Sequence, residues 1–343
     1  MTLPSDCFAV VLAGGRGTRF WPLSRRERPK QCLSVDGGPT LIQRTVARTG
    51  LPPEQVLVVT GPDMLEAVRA QVPGVELLVE PSARNTAAAI AWAALEVERR
   101  GGRCSFVLPS DHLIADEPGF RDALAVAAGV AGSGALVTLG VRPTRPETGY
   151  GWIEVEEGRG PDHAVRRFVE KPPLAEAERL LAGGRHLWNA GMFVWSPGAL
   201  LDAVAAHLPG TAAMIGRLRA GHPVSDAWGL SEATSIDYGV LERADGIRVL
   251  PVDFGWSDVG SWTALADVLT EGEGGFAVAD AVVAIRARNN VVHAAGKLVA
   301  LLGVEDLVVV DTPDALLVAP RSEAQDVKQL LAEVERRALA RHL

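Results

Sequence analysis

The chain has 343 residues, 48% of them hydrophobic, and its 42 acidic against 34 basic side chains give a formal net charge of −8. That length buries one large core or two unequal ones; the acidic balance argues against a nucleic-acid surface, but not against an anionic ligand met by a local basic cluster. Cys7, Cys32 and Cys104 show no C-x-x-C spacing, no basic residue opens the chain ahead of an apolar core, and no apolar run approaches a membrane span, so buried thiols and a cytoplasmic protein without membrane partners are expected.

Phe8-Ala9-Val10-Val11 is a short apolar run that reads as a buried strand. It leads into Gly14, Gly15 and Gly17, whose missing Cβ atoms permit a sharp turn and a close approach to a ligand. Successive backbone N–H groups in such a loop form an anion-binding concavity. Arg16, Arg19, Arg25, Arg26, Arg28 and Lys30 crowd cations into the same stretch. A glycine turn with dense positive charge at a strand end suits a triphosphate. Two familiar glycine motifs are excluded: no Gly-Lys-Ser/Thr follows the turn, and the G-x-G-x-x-G pattern that starts at Gly15 meets Phe20 where its third glycine belongs.

Beyond this loop, strand-like segments over 56–60, 75–80, 105–108 and 135–140 alternate with helix-like segments over 40–49, 63–71, 85–100 and 120–131. The 85–100 segment is Ala-rich, a strong helix signal, and Asn85 or Thr86 is placed to cap it. The alternation predicts an α/β fold, a mainly parallel sheet with helices on both faces. Ligands of such sheets sit beyond the carboxyl ends of the strands. Those ends carry Gly14 to Arg19, Glu80 to Asn85, Pro109-Ser110-Asp111-His112 and, after a strand over 248–254, Gly255-Trp256-Ser257-Asp258. All four are expected to converge on one edge.

Strand signals are denser over 144–195, at 151–155, 165–169 and 187–195, and this stretch is expected to wall one side of the site. Composition shifts at Glu271-Gly272-Glu273-Gly274-Gly275, read as a linker between a catalytic unit (1–274) and a small C-terminal unit (275–343). Short apolar runs at 282–285, 291–293, 298–302, 307–310 and 316–318 predict an all-β unit, followed by an amphipathic helix over 322–343. An assembly or packing role is expected of it, and the chain after Gly275 is too short for a second enzymatic domain.

The string LAGGRGTRFWPLSRRERPKQ, from Leu12 to Gln31, resembles the signature of the sugar-1-phosphate nucleotidyltransferases. Its Trp21-Pro22-Leu23-Ser24-Arg25 and Pro29-Lys30-Gln31 runs are most similar to the mannose-1-phosphate guanylyltransferase branch. Resemblance of Ser110-Asp111-His112 and Gly255 to Trp262, of Glu80-Pro81-Ser82-Ala83-Arg84-Asn85-Thr86-Ala87, and of the Gly149-Tyr150-Gly151, Glu170-Lys171-Pro172 and Trp188-Asn189-Ala190-Gly191 runs extends this over most of the chain, becoming faint beyond Gly275. The resemblance implies a Rossmann-like catalytic domain with a short β-helix-like unit, and transfer of a guanylyl group from GTP to mannose 1-phosphate with Mg²⁺, giving GDP-mannose and pyrophosphate. The alternatives are another hexose 1-phosphate, or a non-catalytic sugar-nucleotide sensor. A homodimer is expected.

Such a reaction needs positioning and charge neutralisation rather than a protein nucleophile. Nucleotide binding falls by resemblance to Leu12, Gly14, Gly15, Arg16, Gly17, Thr18, Glu80, Arg84, Asn85 and Thr86, and sugar binding to Ser110, Gly149, Glu170, Lys171, Asn189 and Gly191. A carboxylate can accept from guanine N1–H and N2–H while an arginine or amide donates to O6; which of Glu80, Arg84 and Asn85 makes which contact is left open. Arg16 and Arg19 can fork onto phosphate oxygens, and Lys30 offers a point charge to the α-phosphate. Asp111 and Asp258 together meet the needs of Mg²⁺, which takes one or two carboxylates plus phosphate and water. Each aspartate is also placed to cap a helix, and His112 is not assigned to metal.

Overall fold

Residue alternation in the first strand builds a three-layer molecule. In β1 (Cys7–Ala13), Phe8 and Val10 join a cluster with Leu57, Val59, Ile90 and the buried alanines 87–89 and 91, while Ala9, Val11 and Ala13 join Ile42, Val56, Val58, Met64 and Val68 on the opposite side. A strand buried on both faces reads as a continuous apolar run because neither face meets water. The structure, a computed structural model, describes residues 3–15, 17–156, 158, 160–269 and 276–343. Arg16 and the 271–275 segment therefore lie outside the described residues.

The strands that follow are β2 (Val56–Thr60), β3 (Glu76–Val79), β4 (Cys104–Pro109), β5 (Leu113–Ile114), β6 (Val137–Val141), β7 (Gly151–Glu156), β8 (His163–Glu170), β9 (His186–Trp195), β10 (Arg248–Val252) and β11 (Trp256–Ser257). Eight of them join β1 in one nine-stranded sheet in the order β3-β2-β1-β4-β9-β6-β10-β8-β7, and β5 pairs with β11 in a separate ribbon. The β3-β2-β1-β4 half is parallel, as the strand–helix alternation predicts. The other half is mixed: β9 runs antiparallel between β4 and β6, and β7 pairs antiparallel with both β8 and β9. β7 and β8, which follow one another without a crossover helix, take this sense naturally.

Helices α1 (Leu41–Thr49) and α2 (Leu65–Gln71) cover one face near β1, α3 (Asn85–Arg99) the other, and α4 (Glu117–Ala131) lies near β4, β6 and β10. Thr40 and Gln43 form a capping box on α1, and Asp116, not Asp111, caps α4 by accepting from Gly119 N–H. The alanines of α3 let it lie close to the sheet and to α6 (Pro197–His207) and α7 (Pro209–Arg219), which come after α5 (Leu174–Gly183). The chain continues through a short α8 (Val224–Ala227) to α9 (Trp262–Leu269), whose first turn is capped by Ser261 accepting from Ala264 N–H. Asp258 therefore does not cap it.

The C-terminal unit contains β12 (Phe276–Ile285), β13 (Val291–Leu302), β14 (Leu307–Asp311), β15 (Leu316–Pro320) and α10 (Val327–Arg336). β12–β13 and β13–β14 pair in parallel, with Val291 opposite both Phe276 and Val308, so each coil returns after 15 to 17 residues without a helix. That repeat gives the unit its β-helix character. The runs foreseen at 291–293 and 298–302 are one continuous strand. All three thiols are buried, and Cys7 sits beside Cys104 in the β1–β4 register.

The unit shares a core with the basic loop. Phe20, Trp21 and Leu23 pack with Trp262, Val291, Val308, Val310, Leu317 and Val327. The Phe20 and Trp262 ring centroids are 4.9 Å apart. A shared core predicts shared cooperativity. Leu317→Ala, at a residue 3% exposed, should lower one common denaturant transition by about 2–5 kcal/mol. A two-step curve in which only the C-terminal step moved would contradict the shared core.

Candidate active site at the carboxyl ends of the strands

A cavity of about 510 Å³ opens where the sequence places the strand ends together. Twelve of the expected site residues line it: Leu12, Gly14, Gly15, Glu80, Asn85, Thr86, Gly149, Glu170, Lys171, Asn189, Gly191 and Asp258. Gly17, Thr18, Arg19, Lys30, Arg84, Ser110 and Asp111 lie outside its wall, and Arg16 is not described.

Lys30 organises the cluster beside the glycine turn. Its ammonium donates to Asp111 Oδ2 at 2.7 Å and to the Asp258 backbone carbonyl at 2.8 Å, and its side chain is only 6% exposed. The two aspartates meet because Leu113 pairs with Ser257 in the β5–β11 ribbon, which sets the flanking residues face to face. Burial alone would raise the Asp111 carboxyl; the Lys30 charge and His112 outweigh it and hold it below its ordinary value. Asp258 Oδ1 accepts from Tyr150 Oη at 2.7 Å and from Gly260 N–H at 3.1 Å.

Arg19 is held from the other side. Its Nη1 donates to Gln325 Oε1 at 2.8 Å, just ahead of α10. A Cβ built on Gly260 would lie 3.3 Å from that same Nη1 and 2.8 Å from Asp258 Oδ2, so the guanidinium and the carboxylate flank one stretch of backbone. Arg25 donates to the His342 carbonyl and to Asp314, and Trp21 Nε1 donates to the His342 carbonyl at 2.7 Å. The C-terminal unit thus pins the loop that carries the cations.

The Glu80 end is drier. Glu80 is 8% exposed, and burial pushes its carboxyl up to about 7. Asn85 is not the helix cap. It takes a left-handed φ of 63° at the start of α3, with Arg84 in the cap position, and Asn85 Oδ1 accepts from Thr86 N–H. Thr86 Oγ1 accepts from Ile236 N–H, while Arg84 Nη1 donates to the Ser231 carbonyl at 2.6 Å. Buried Ser110 donates its N–H to the Leu12 carbonyl, tying β4 to β1 where both strands end. Thr18 is exposed, in the short turn Thr18–Phe20.

Elsewhere on the cavity wall, Glu170 and Asn189 close over Gly151, where an added Cβ would sit 2.5 Å from Glu170 Oε2 and 3.4 Å from Asn189 Cβ. Lys171 pairs with Glu170. Asn189 Oδ1 accepts from Thr138 Oγ1 and Gly191 N–H, which leaves its amide to donate to Asp237 Oδ1 at 2.7 Å. Burial, then the Glu170 charge, raises the Asp237 carboxyl to about 6.

Sequence reasoning passed over Tyr150, His112, Trp256 and Asp237, all of which line the cavity. Tyr150 lies inside a quoted motif but carries no charge to single it out. His112 Nδ1 accepts from Trp256 Nε1 at 3.1 Å, so its other nitrogen carries the proton, 4.0 Å from Asp111. Burial lowers its pKa, which keeps the ring neutral. Asp237 had no signal, because it sits in a stretch without strand ends.

A family model described as Nucleotidyl transferase matches residues 8–273. The chain belongs to the nucleotidyl transferase family. A second model, described as a MannoseP isomerase/GMP-like beta-helix domain, matches residues 280–334. The xanthan biosynthesis protein XanB of Xanthomonas campestris is 40% identical over 96% of this chain and 74% of its own length. The mannose-1-phosphate guanylyltransferase ManC of Salmonella typhimurium is 39% identical over 96% of this chain and 73% of its own. A crystal structure from Thermus thermophilus, described as a mannose-1-phosphate geranyltransferase, superposes with a TM-score of 0.92 at 38% identity, covering 96% of this chain and 99% of that one.

The Gly17 turn makes the geometry testable. Gly17 has φ 63°, and a Cβ there would fall 2.1 Å from Lys30 Cβ. Gly17→Ala is expected to cost about 1–3 kcal/mol from backbone strain alone, and to displace Lys30. A thermal melt and an activity assay both unchanged from wild type would show that the turn tolerates the side chain.

Proposed function

We propose that this nucleotidyltransferase transfers a guanylyl group from GTP to mannose 1-phosphate, releasing pyrophosphate. One observation carries the reading: Gly14, Gly15 and Asp258 line the same cavity as Glu170, Asn189 and Asp237, and Lys30 joins Asp111 to Asp258 beside it. A ligand that carries both phosphates and sugar hydroxyls fits that lining.

In the proposed reaction an oxygen of the sugar phosphate attacks the α-phosphorus in line. One P–O bond forms as the bond to the bridging oxygen breaks, and pyrophosphate leaves with the electron pair. Backbone N–H groups of Gly14 and Gly15 cradle phosphate oxygens, Arg19 forks onto them once drawn from Gln325, and Lys30 meets the charge that grows on the α-phosphate. Asp111 and Asp258 are hard oxygen donors from two different segments, the set that Mg²⁺ takes from a protein. No group of three or more such ligands exists among the described residues, so phosphate and water must complete any coordination shell there. Bound Mg²⁺ would add charge neutralisation on the phosphate oxygens.

Glu80 is the guanine acceptor in this reading, and the similarity to a protein named mannose-1-phosphate guanylyltransferase supports the choice of base and sugar. Pyrophosphate release measured over GTP, ATP, UTP and dTTP against mannose 1-phosphate and glucose 1-phosphate tests it. The GTP and mannose 1-phosphate pair should be fastest; a clear preference for UTP or dTTP would reject the guanine assignment.

Lys30→Gln should lower kcat by about 10²–10³ with little change in the KM for GTP, because a contact that strengthens only in the transition state acts on kcat. A defect lying wholly in KM would make Lys30 a steering charge.

Glu80 yields a pH signature. Its carboxyl must be ionised to accept from guanine, yet it titrates near 7 in the free protein, so the KM for GTP should rise about tenfold per pH unit well below that value and level off above it. The sign for stability is opposite. A carboxyl raised from 4.5 to about 7 by burial favours the protonated fold, so its contribution to stability declines as pH climbs between those values and is constant above them. Glu80→Gln should flatten the KM profile. An unaltered profile in that variant would assign the pH dependence to another group.

A further inference from the structure

We propose that Asp237 reads the hydroxyl pattern of the hexose and sets which epimer is accepted. The inference deepens the reading above and rests on it. It begins with how firmly the carboxylate is held. Asp237 opens a single turn of π-helix, Asp237–Leu241, a local distortion that recurs at functional sites. Just before it, Ile236 N–H donates to Thr86 Oγ1 at 2.9 Å and the Thr234 carbonyl accepts from Ala87 N–H at 3.1 Å. Two bonds to the start of α3 therefore fix the segment against the Glu80 side of the cavity.

The orientation of Asn189 is settled by its own carbonyl, which accepts from Thr138 Oγ1 and Gly191 N–H. Its amide then has to donate to Asp237 Oδ1. An ionised carboxylate offers about four acceptor positions on its two oxygens, so one bond from Asn189 orients the group without exhausting it. Sugar hydroxyls are donors, and a fixed acceptor at the cavity wall distinguishes a hydroxyl in reach from its epimer out of reach. Buried polar groups left unpaired by the wrong ligand are what make such discrimination steep.

Charge supports the same role. Asp237 and Glu170 both line the cavity, with Lys171 as the cation paired to Glu170. Two carboxylates against one ammonium repel a phosphate and attract hydroxyls, so the sugar ring is turned toward Asp237 and its phosphate toward Lys30.

The test is Asp237→Asn in the full chain, assayed for pyrophosphate release with GTP against mannose 1-phosphate and glucose 1-phosphate. An amide oxygen still accepts from Asn189, so a purely structural role predicts unchanged kinetics. A hydroxyl-reading role predicts a KM for mannose 1-phosphate raised about 10- to 100-fold, a KM for GTP within about twofold, and a mannose-to-glucose preference in kcat/KM reduced at least about tenfold. Asp237→Glu, which keeps the charge one methylene further out, should also shift the epimer preference, and serves if the asparagine variant does not fold. Wild-type sugar KM and preference in either folded variant would overturn the role of Asp237 and leave the enzyme reading intact. A wild-type protein without turnover on any sugar phosphate would overturn both.

Discussion

The Lys30 ammonium joins three stretches of chain that lie far apart in sequence: the basic loop, the segment after β4 and the segment after β10. Without it, Asp111 would be a partly buried carboxylate with no counter-charge beside it, and burial would favour its neutral form. With it, a hard anionic donor is kept ionised at the edge of the cavity. Breaking a buried pair by removing one partner strands the other charge, so this cluster stands or falls as a unit. Gly17 belongs to that unit, because its bare backbone is what lets the Lys30 side chain lie across the turn.

Carboxyl groups in different settings gather around the cavity. Glu80 is buried beside the glycine turn, Asp111 is paired with Lys30, and Glu170 and Asp237 line the wall together. Each carboxyl is set differently by its surroundings. Lys30 holds Asp111 down, while burial lifts Glu80 and Asp237. The same side-chain chemistry is thereby held as an anion in one place and brought near neutrality in two others.

The C-terminal unit is more than an appendage to this arrangement. It contributes Gln325 to Arg19, Asp314 and the His342 carbonyl to Arg25, and a row of apolar side chains to the core under Phe20 and Trp21. A loop rich in arginine repels itself, and acceptors from another part of the chain hold it in one conformation. Arg19 is the member that must exchange its partner if it is to reach a phosphate.

Much of this was legible in the residues alone. Apolar runs, an Ala-rich helix and strand-end polar clusters are local properties, and they sufficed for the parallel half of the sheet; together with the motif resemblance they located twelve of the cavity's residues. The glycine turn and its cations carried the expectation of a phosphate ligand, since steric freedom and charge belong to residue types. Tertiary structure decided the rest. The antiparallel insertion of β9, the pairing of Lys30 with Asp111, the turning of Arg19 to Gln325 and of Arg84 to the Ser231 carbonyl all depend on partners dozens to hundreds of residues away. The 196–247 stretch stayed unread because α6 and α7 carry little apolar striping of the kind that marks a surface helix. Asp237 came into view only when that stretch folded back onto Thr86 and Asn189. Sequence determines what each residue is able to do locally; which charges meet is a question of long-range pairing, and only the folded chain answers it.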